Sequence, residues 1–287
     1  MSQGRVLVTG AHGQLAEAVI NAFSGWSVLA RTRSDLDISD PVEVASHVAE
    51  ASPAVIINCA AFNDVDGAED RPEEALAVNA FAVRSLARAA DACGALLVHY
   101  GTDFVFDGTA SEPYNEQSTP APRSVYAASK LLGEWFGLET ARGYVLRVES
   151  LFGMPLAWSG RLGTLDKIVR AMREGREVAA FTDRVVTPSY VEDVATATRA
   201  IVERGVAPGL YHCVSSESGS WYEVAHEAAR VLGVEPRIKA ITTDAVTMRA
   251  ARPKYCALSN AKLQAAGVVM PSWRDAIGRW LTGFETR

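Results

Sequence analysis

The chain has 287 residues, 48% of them hydrophobic and 22% charged, with a formal net charge of −6. That length can bury one large core or two smaller ones, and the balance is that of an ordinary globular protein. A negative chain makes neither nucleic acid nor an anionic membrane surface its main partner, although local backbone amides can still hold phosphate ligands.

Arg5-Val6-Leu7-Val8-Thr9 reads as a short buried strand, and it runs into Gly10-Ala11-His12-Gly13-Gln14-Leu15-Ala16. Leu15, Val19, Ile20 and Phe23 then mark an amphipathic helix. Strand, glycine turn and helix form the context of a dinucleotide fingerprint. Gly10 allows the tight turn, and Gly13 lets the backbone approach a pyrophosphate seated on the helix N-terminus. Ala16 is small enough for close packing where a third glycine would stand. A plain βα turn is the rival reading. Ser27–Ala30 is the second strand, ending in Arg31-Thr32-Arg33. An acidic residue at that point would bind the ribose diol of NAD, whereas arginine suits the extra 2′-phosphate of NADP. Two solvated loop arginines are the alternative. Asp35-Leu36-Asp37-Ile38 follows, before a helix opened by Ser39-Asp40-Pro41 with its cap and first-turn proline.

Ala54–Asn58 is the third strand, and small residues in Cys59-Ala60-Ala61-Phe62 let a flat ring or ribose approach the backbone. A long helix is predicted from about Pro72 to Ala92, burying Leu76, Asn79, Ala80, Val83, Leu86, Ala87 and Ala90. Cys93-Gly94 turns the chain into a fourth strand, Leu96–Tyr100, followed by Gly101-Thr102-Asp103-Phe104-Val105-Phe106. Residues 107–124 are rich in Gly, Pro, Ser and Thr and read as a loop beside a site. Tyr126 and Lys130 open the next helical pattern and, four residues apart, share one face. A phenol beside an ammonium is a workable proton donor, because the cation favours the phenolate. Thr102, just past a strand's carboxyl end, can reach the same point, where open α/β sheets bind ligands. Taken alone, Tyr-x-x-x-Lys is equally an ordinary helix face, and its context gives it weight.

Tyr144–Val148 is a fifth strand. The repeated β-α order over residues 1–150 predicts an α/β fold with a doubly wound parallel (Rossmann) sheet. After Phe152-Gly153 the composition loosens through Met154-Pro155 and Trp158-Ser159-Gly160. Helices are predicted at Leu165–Glu174 and Trp221–Leu232, and strands near Glu177–Ala180 and Gly209–Val214. A helix from Val191 to Glu203 is expected to return to the first domain. Residues 151–287 should thus form mainly a smaller substrate-binding domain that shares elements with the first. The cysteines at 59, 93, 213 and 256 have neither metal-ligand nor disulfide-framework spacing, so no metal is expected. With neither a leader pattern nor an apolar run of ~20 residues, a cytoplasmic protein is expected.

With these residues in place, the chain resembles the extended short-chain dehydrogenase/reductase superfamily, and within it the dTDP-4-dehydrorhamnose reductase family. The shared pattern runs from Gly13-Gln14-Leu15 through Asp35–Ile38, Asn58–Ala61, Val65-Asp66, Val78-Asn79 and His99–Gly108. It continues in Pro113-Tyr114, Tyr126 with Lys130, Thr187–Asp193, Gly209–His212 and Arg252-Pro253. The resemblance implies reduction of the 4-keto group of a nucleotide-activated deoxysugar by NADP(H), with NAD(H) as the alternative. It implies that Tyr126 protonates the carbonyl oxygen, that Lys130 holds the nicotinamide ribose, and that Thr102 hydrogen-bonds the reacting oxygen. Asp103 would help place the sugar. Gly10, His12, Gly13, Gln14 and Leu15 would meet the pyrophosphate, Arg31 the 2′-phosphate, and Asp37 and Ile38 the adenine side. Ala60, Ala61, Phe62, Asn63 and Tyr100 would line the remaining cofactor face.

The chain departs from the family's usual pattern in three places. Gly101 stands where serine is common, and Ala127-Ala128 where Gly-Lys is common. Ser150, a substrate-binding position, replaces a tryptophan that would wall the sugar, which opens the sugar's identity. A second function class is a non-catalytic, cofactor-binding regulatory subunit, since the family resembles the β subunit of methionine adenosyltransferase. Intact Thr102, Tyr126 and Lys130 favour the enzyme. The expected partners are a nucleotide-sugar substrate and, in a homodimer, a second copy of the chain.

Overall fold

Every residue of the strands Val55–Asn58 and Leu96–Thr102 is buried, so neither strand has a solvent face and both need helices on each side. The computed structural model, which describes residues 4–153 and 162–283, supplies them. The loosely composed segment from Met154 to Gly160 lies outside the described residues.

In chain order the first half comprises β1 (Arg5–Thr9), α1 (Gln14–Ala22), β2 (Ser27–Arg31), α2 (Pro41–Ala51) and β3 (Val55–Asn58). Then come α3 (Val65–Asp70), α4 (Pro72–Leu76), α5 (Ala82–Cys93), β4 (Leu96–Thr102), α6 (Val125–Glu139) and β5 (Gly143–Val148). The second half begins with α7 (Thr164–Arg173), β6 (Val178–Phe181), β7 (Val185–Val186), α8 (Val191–Arg204) and β8 (Gly209–His212). It ends with β9 (Gly219–Ser220), α9 (Trp221–Leu232), β10 (Ile238–Ile241), α10 (Ala261–Ala265) and α11 (Trp273–Thr282).

The main sheet has the order β2-β1-β3-β4-β5-β8, and every pairing in it is parallel. Strand side chains alternate between its two faces. Val6, Val8, Ile57, Val98 and Leu146 share a core with α1 and α8. Leu7, Ile56 and Leu97 point the other way, against Val44, Val48, Leu86 and Ala90 of α2 and α5. This is the doubly wound parallel sheet that the β-α repeat predicts.

The chain beyond residue 151 returns to that sheet twice. Helix α8 packs beside α1, where Arg199 Nη1 donates to the Ala22 carbonyl at 2.7 Å, and β8 adds a sixth strand outside β5. The rest forms two small sheets, β6 with β10 in parallel and β7 with β9 antiparallel. A forked ion pair between Arg252 and Asp66 joins this part to α3 at 2.8 and 2.9 Å. Two distant stretches of the sequence pattern, Val65-Asp66 and Arg252-Pro253, are thereby one contact. The Arg252 guanidinium holds the Asp66 carboxyl down at about 2.

The helix predicted over 72–92 is broken by a π turn at Ala77–Phe81. That turn carries Asn79, whose side chain serves the site described below. No helix among the described residues is long and apolar enough to cross a membrane.

Candidate active site

Strands β1 and β3 are sheet neighbours, and the chain leaves them for opposite sides of the sheet, which makes the crevice at their carboxyl ends the topological switch point. Gly10 sits there with φ +69°, and a Cβ on it would lie 2.7 Å from the Ala60 backbone. Helix α1 starts at the mouth of this crevice with Gly13 as its N-cap, and no side chain caps it. Its first amides therefore face outward in the manner that receives phosphate oxygens. These features fit a dinucleotide. His12 is exposed at the turn and Leu15 is buried beneath it, while Gln14 Nε2 donates to Asp166 Oδ2 of α7 at 3.4 Å.

At the end of β2, Arg31 Nη1 donates to the Ala30 carbonyl at 3.3 Å. Asp37 accepts from the Ser39 amide and hydroxyl at 3.0 and 2.6 Å, which lowers its pKa, and stands 3.9 Å from Arg33. Ile38 is buried in the core beneath this edge. On the other lip Ala60 and Ala61 are half-buried and Asn63 is exposed. The loop's backbone is held by Asn79, which accepts from Phe62 N at 2.8 Å and donates to Phe62 O at 3.1 Å. The same amide donates to Ser129 Oγ of α6 at 3.0 Å, and the Phe62 ring shares an apolar cluster with Tyr126. Asn79 thus ties the loop after β3 to the helix that carries the Tyr–Lys pair.

Ser124 caps α6, and one turn into the helix the buried Lys130 donates from Nζ to the Tyr100 carbonyl at 2.6 Å. Burial lowers the ammonium to about 8, while the Glu134 carboxylate one turn on pulls upward. At neutral pH the cation persists. The ring of Tyr100 points away from the crevice, where its hydroxyl bonds Thr198 Oγ1 of α8 at 2.8 Å, so only its backbone faces Lys130. Tyr126 is nearly buried and packs edge-on against Phe104 at 5.8 Å.

Beneath α6 two rows of polar side chains cross the sheet in register. Thr9 Oγ1 donates to Asn58 Oδ1 at 2.7 Å, and Asn58 Nδ2 meets His99 Nδ1 at 3.1 Å. Burial, with Lys130 adding to it, keeps His99 neutral, well below the usual histidine range. In the second row Arg147 forks onto Glu134 at 2.7, 3.0 and 3.1 Å and meets His212 Nε2 at 3.3 Å.

Thr102 closes β4. Its Oγ1 accepts from Phe104 N at 3.3 Å and donates to Asp103 Oδ1 at 3.1 Å. Asp103, Glu149 and Cys256 are all buried, with ligand-type atoms within 4.8 Å of one another. Burial pushes the Asp103 carboxyl up to about 6. Burial and the Asp103 charge raise Glu149 well above the carboxylate range. Ser150 follows with φ +46°, half-buried at the end of β5. The fold therefore gathers Thr102, Asp103, Tyr126 and Lys130 at one end of the sheet, with Gly10, Gly13 and Ala60 in the adjoining crevice.

The family model described as the RmlD substrate binding domain matches residues 4–286. The chain is 37% identical to dTDP-4-dehydrorhamnose reductase of Streptomyces griseus, over 95% of this chain and 91% of that one. It is 32% identical to dTDP-4-keto-6-deoxy-D-glucose reductase of Streptomyces niveus, over 95% of each. The chain belongs to the dTDP-4-dehydrorhamnose reductase family. The crystal structure of the Bacillus anthracis dTDP-4-dehydrorhamnose reductase in complex with NADP superposes with a TM-score of 0.92 at 30% identity, covering 98% of this chain and 99% of that one.

Within the family pattern, sequence reasoning missed the buried Glu134–Arg147 pair and the Asp103–Glu149 pair. The first had a signal, since Glu134 follows Lys130 by one helical turn. The second had none, because Asp103 and Glu149 lie on different strands' ends. One departure also gains a reason: Gly101 leaves the space that the Glu134 carboxylate fills.

Proposed function

We propose that the chain reduces the 4-keto group of a nucleotide-activated 6-deoxysugar in the cytoplasm, with NADP(H) favoured over NAD(H). One observation carries the reading. Lys130, one turn after Tyr126 on α6, is anchored on the Tyr100 carbonyl two residues before Thr102, which sets the Tyr–Lys helix against the strand that carries the threonine. The names of the relatives, reductases of two different dTDP-linked keto sugars, support the substrate class. The NADP in the Bacillus anthracis relative supports the cofactor.

Bound nicotinamide supplies the hydride. The chain's own residues do the rest. The amides at the start of α1, with Gly10, Gly13, Gln14 and Leu15, hold the pyrophosphate, and exposed His12 borders it. Arg31 takes the 2′-phosphate, Asp37 and Ile38 the adenine side, and Ala60, Ala61, Phe62, Asn63 and the Tyr100 backbone the remaining face. Lys130 binds the ribose and steadies negative charge on Tyr126, which gives its phenolic proton to the carbonyl oxygen. Thr102 hydrogen-bonds that oxygen. Asp103 and Ser150 border the sugar. Two large residues, Phe81 and Trp135, are 51% and 59% exposed on adjoining parts of α6 and the turn before α5, and support a homodimer.

The regulatory-subunit reading has no observation in its favour. Oxidation of NADPH and NADH over a panel of dTDP-linked 4-keto-6-deoxysugars is the test. Turnover with at least one of them is expected, and inertness towards all by a protein that binds NADPH would overturn the reading.

A further inference from the structure

Lys130 is a buried cation resting on a neutral partner, since its Nζ donates to the Tyr100 carbonyl at 2.6 Å. A buried ammonium keeps its proton only where a negative charge lies near it. Glu134 is buried one turn further along the same face of α6. Its carboxylate lies against Gly101, the residue after Tyr100: a Cβ there would come 2.3 Å from Glu134 Oε1. Ammonium and carboxylate therefore lie against consecutive residues of β4. A serine, the common residue at this position, would place its Cβ on the carboxylate, so the arrangement depends on this chain's glycine. Arg147, in register with Gly101 on β5, forks onto the carboxylate at 2.7, 3.0 and 3.1 Å. Three charge-assisted hydrogen bonds fix it there.

The other groups that face Lys130 and Glu134 supply no competing negative charge. Cys59, after β3, would do so only as a thiolate, and burial pushes its thiol well above the usual range. His99, on β4, is kept neutral by burial. So is His212 on β8, which meets Arg147 and is held down at about 3. The Arg147 guanidinium is committed to the carboxylate, and Tyr126 is the donor that the cation serves. Burial lowers Lys130 to about 8, and the Glu134 carboxylate is the largest charge opposing that fall.

We propose that Glu134, seated in the space that Gly101 leaves open and locked there by Arg147, is a positioning residue that keeps Lys130 an ammonium at neutral pH and the Tyr126–Lys130 pair in its proton-donating form. This rests on the reductase reading given above. A negative charge raises every pKa near it, so its loss lowers those of Lys130 and Tyr126 alike, and the pair gives up its working proton at lower pH.

The test is Glu134→Gln, which keeps the shape and one oxygen for Arg147 but removes the charge. With NADPH and a keto-sugar nucleotide that the parent reduces, the basic limb of the kcat/KM profile should move down by about one pH unit or more. The shortfall against the parent should close as the pH falls. A limb that stays in place, or a fall of equal size at every pH, would overturn the proposal. Where the unpaired guanidinium prevents folding, Glu134→Met with Arg147→Met removes both charges together, a change that buried ion pairs often tolerate, and should move the limb the same way.

A second measurement needs no turnover. In NMR spectra of protein carrying isotope-labelled lysine, the Lys130 signal, identified by its loss in Lys130→Met, should titrate at about 8 in the parent. In the Glu134 variant its midpoint should lie lower by about one pH unit or more. Equal midpoints would overturn the proposal even if the reductase reading stands. Failure of the parent to reduce any keto sugar, with the midpoint shifted, would count against the reductase reading alone.

Discussion

Gly101 and Glu134 are matched across the gap between β4 and α6: a Cβ on Gly101 would lie 2.3 Å from Glu134 Oε1 and 3.0 Å from Arg147 Cγ. The carboxylate cannot simply swing aside, because three hydrogen bonds lock it to Arg147 in a site where both side chains are almost wholly buried. Gly101→Ala should therefore strain the pair and cost about 1–3 kcal/mol. Glu134→Ala should cost more, about 3–5 kcal/mol, because it leaves a buried guanidinium without its counter-ion. Denaturant titrations would order the two. A Gly101→Ala variant as stable as the parent would show that the pair has room to move.

Tyr126→Phe keeps the ring against Phe104 and the cluster with Phe62 but removes the phenolic proton. NADPH affinity and melting temperature should stay close to the parent's, while turnover falls ~10²–10⁴-fold. Normal turnover in this variant would remove Tyr126 from the mechanism.

Lys130 gives a prediction with a sign. Its ammonium is lowered by burial from 10.5 to about 8, so between those values the unfolded chain holds a proton that the folded chain has lost. Stability from this group therefore rises with pH from about 8 to about 10.5, and the burial penalty is fully present below about 8. Lys130→Met removes the group. The stability of the variant minus that of the parent should fall across this window, by up to about 3 kcal/mol. Urea titrations at the two ends measure it, and a constant difference would mean that Lys130 is not depressed. The same variant should bind NADPH more weakly.

Cofactor choice is expected to follow Arg31. The parent should prefer NADPH to NADH, and Arg31→Ala should narrow the preference by about tenfold or more, the worth of a hydrogen bond to a charged group. Fluorescence titration with each cofactor decides it. Equal affinities in the parent would mean that Arg31 and Arg33 are solvated loop residues.

Some of this protein is written locally in its sequence. The apolar runs at Val6–Val8, Val55–Ile57 and Leu96–Val98, each followed by a helical period, dictate buried parallel strands with helices on both faces, because strand and helix periodicities are properties of neighbouring residues. The glycine turn and the Tyr126–Lys130 spacing are local in the same sense. Helix α11 is not among the predicted helices although it carries the same local signals: Ser272 caps it, and Trp273, Ala276, Ile277, Trp280 and Leu281 form one buried face. The two-residue strands β7 and β9 were not legible, since so short a segment has no period. Neither was the π turn at Ala77–Phe81, which inserts Asn79 between a loop and a helix that the sequence places far from it. Only the tertiary structure decided the charges of the site. Burial of Lys130, the Glu134–Arg147 fork and the meeting of Asp103 with Glu149 come from segments brought together by strand register and the return of residues 185–187 and 256, and desolvation acts on atoms in space, not on residues in order.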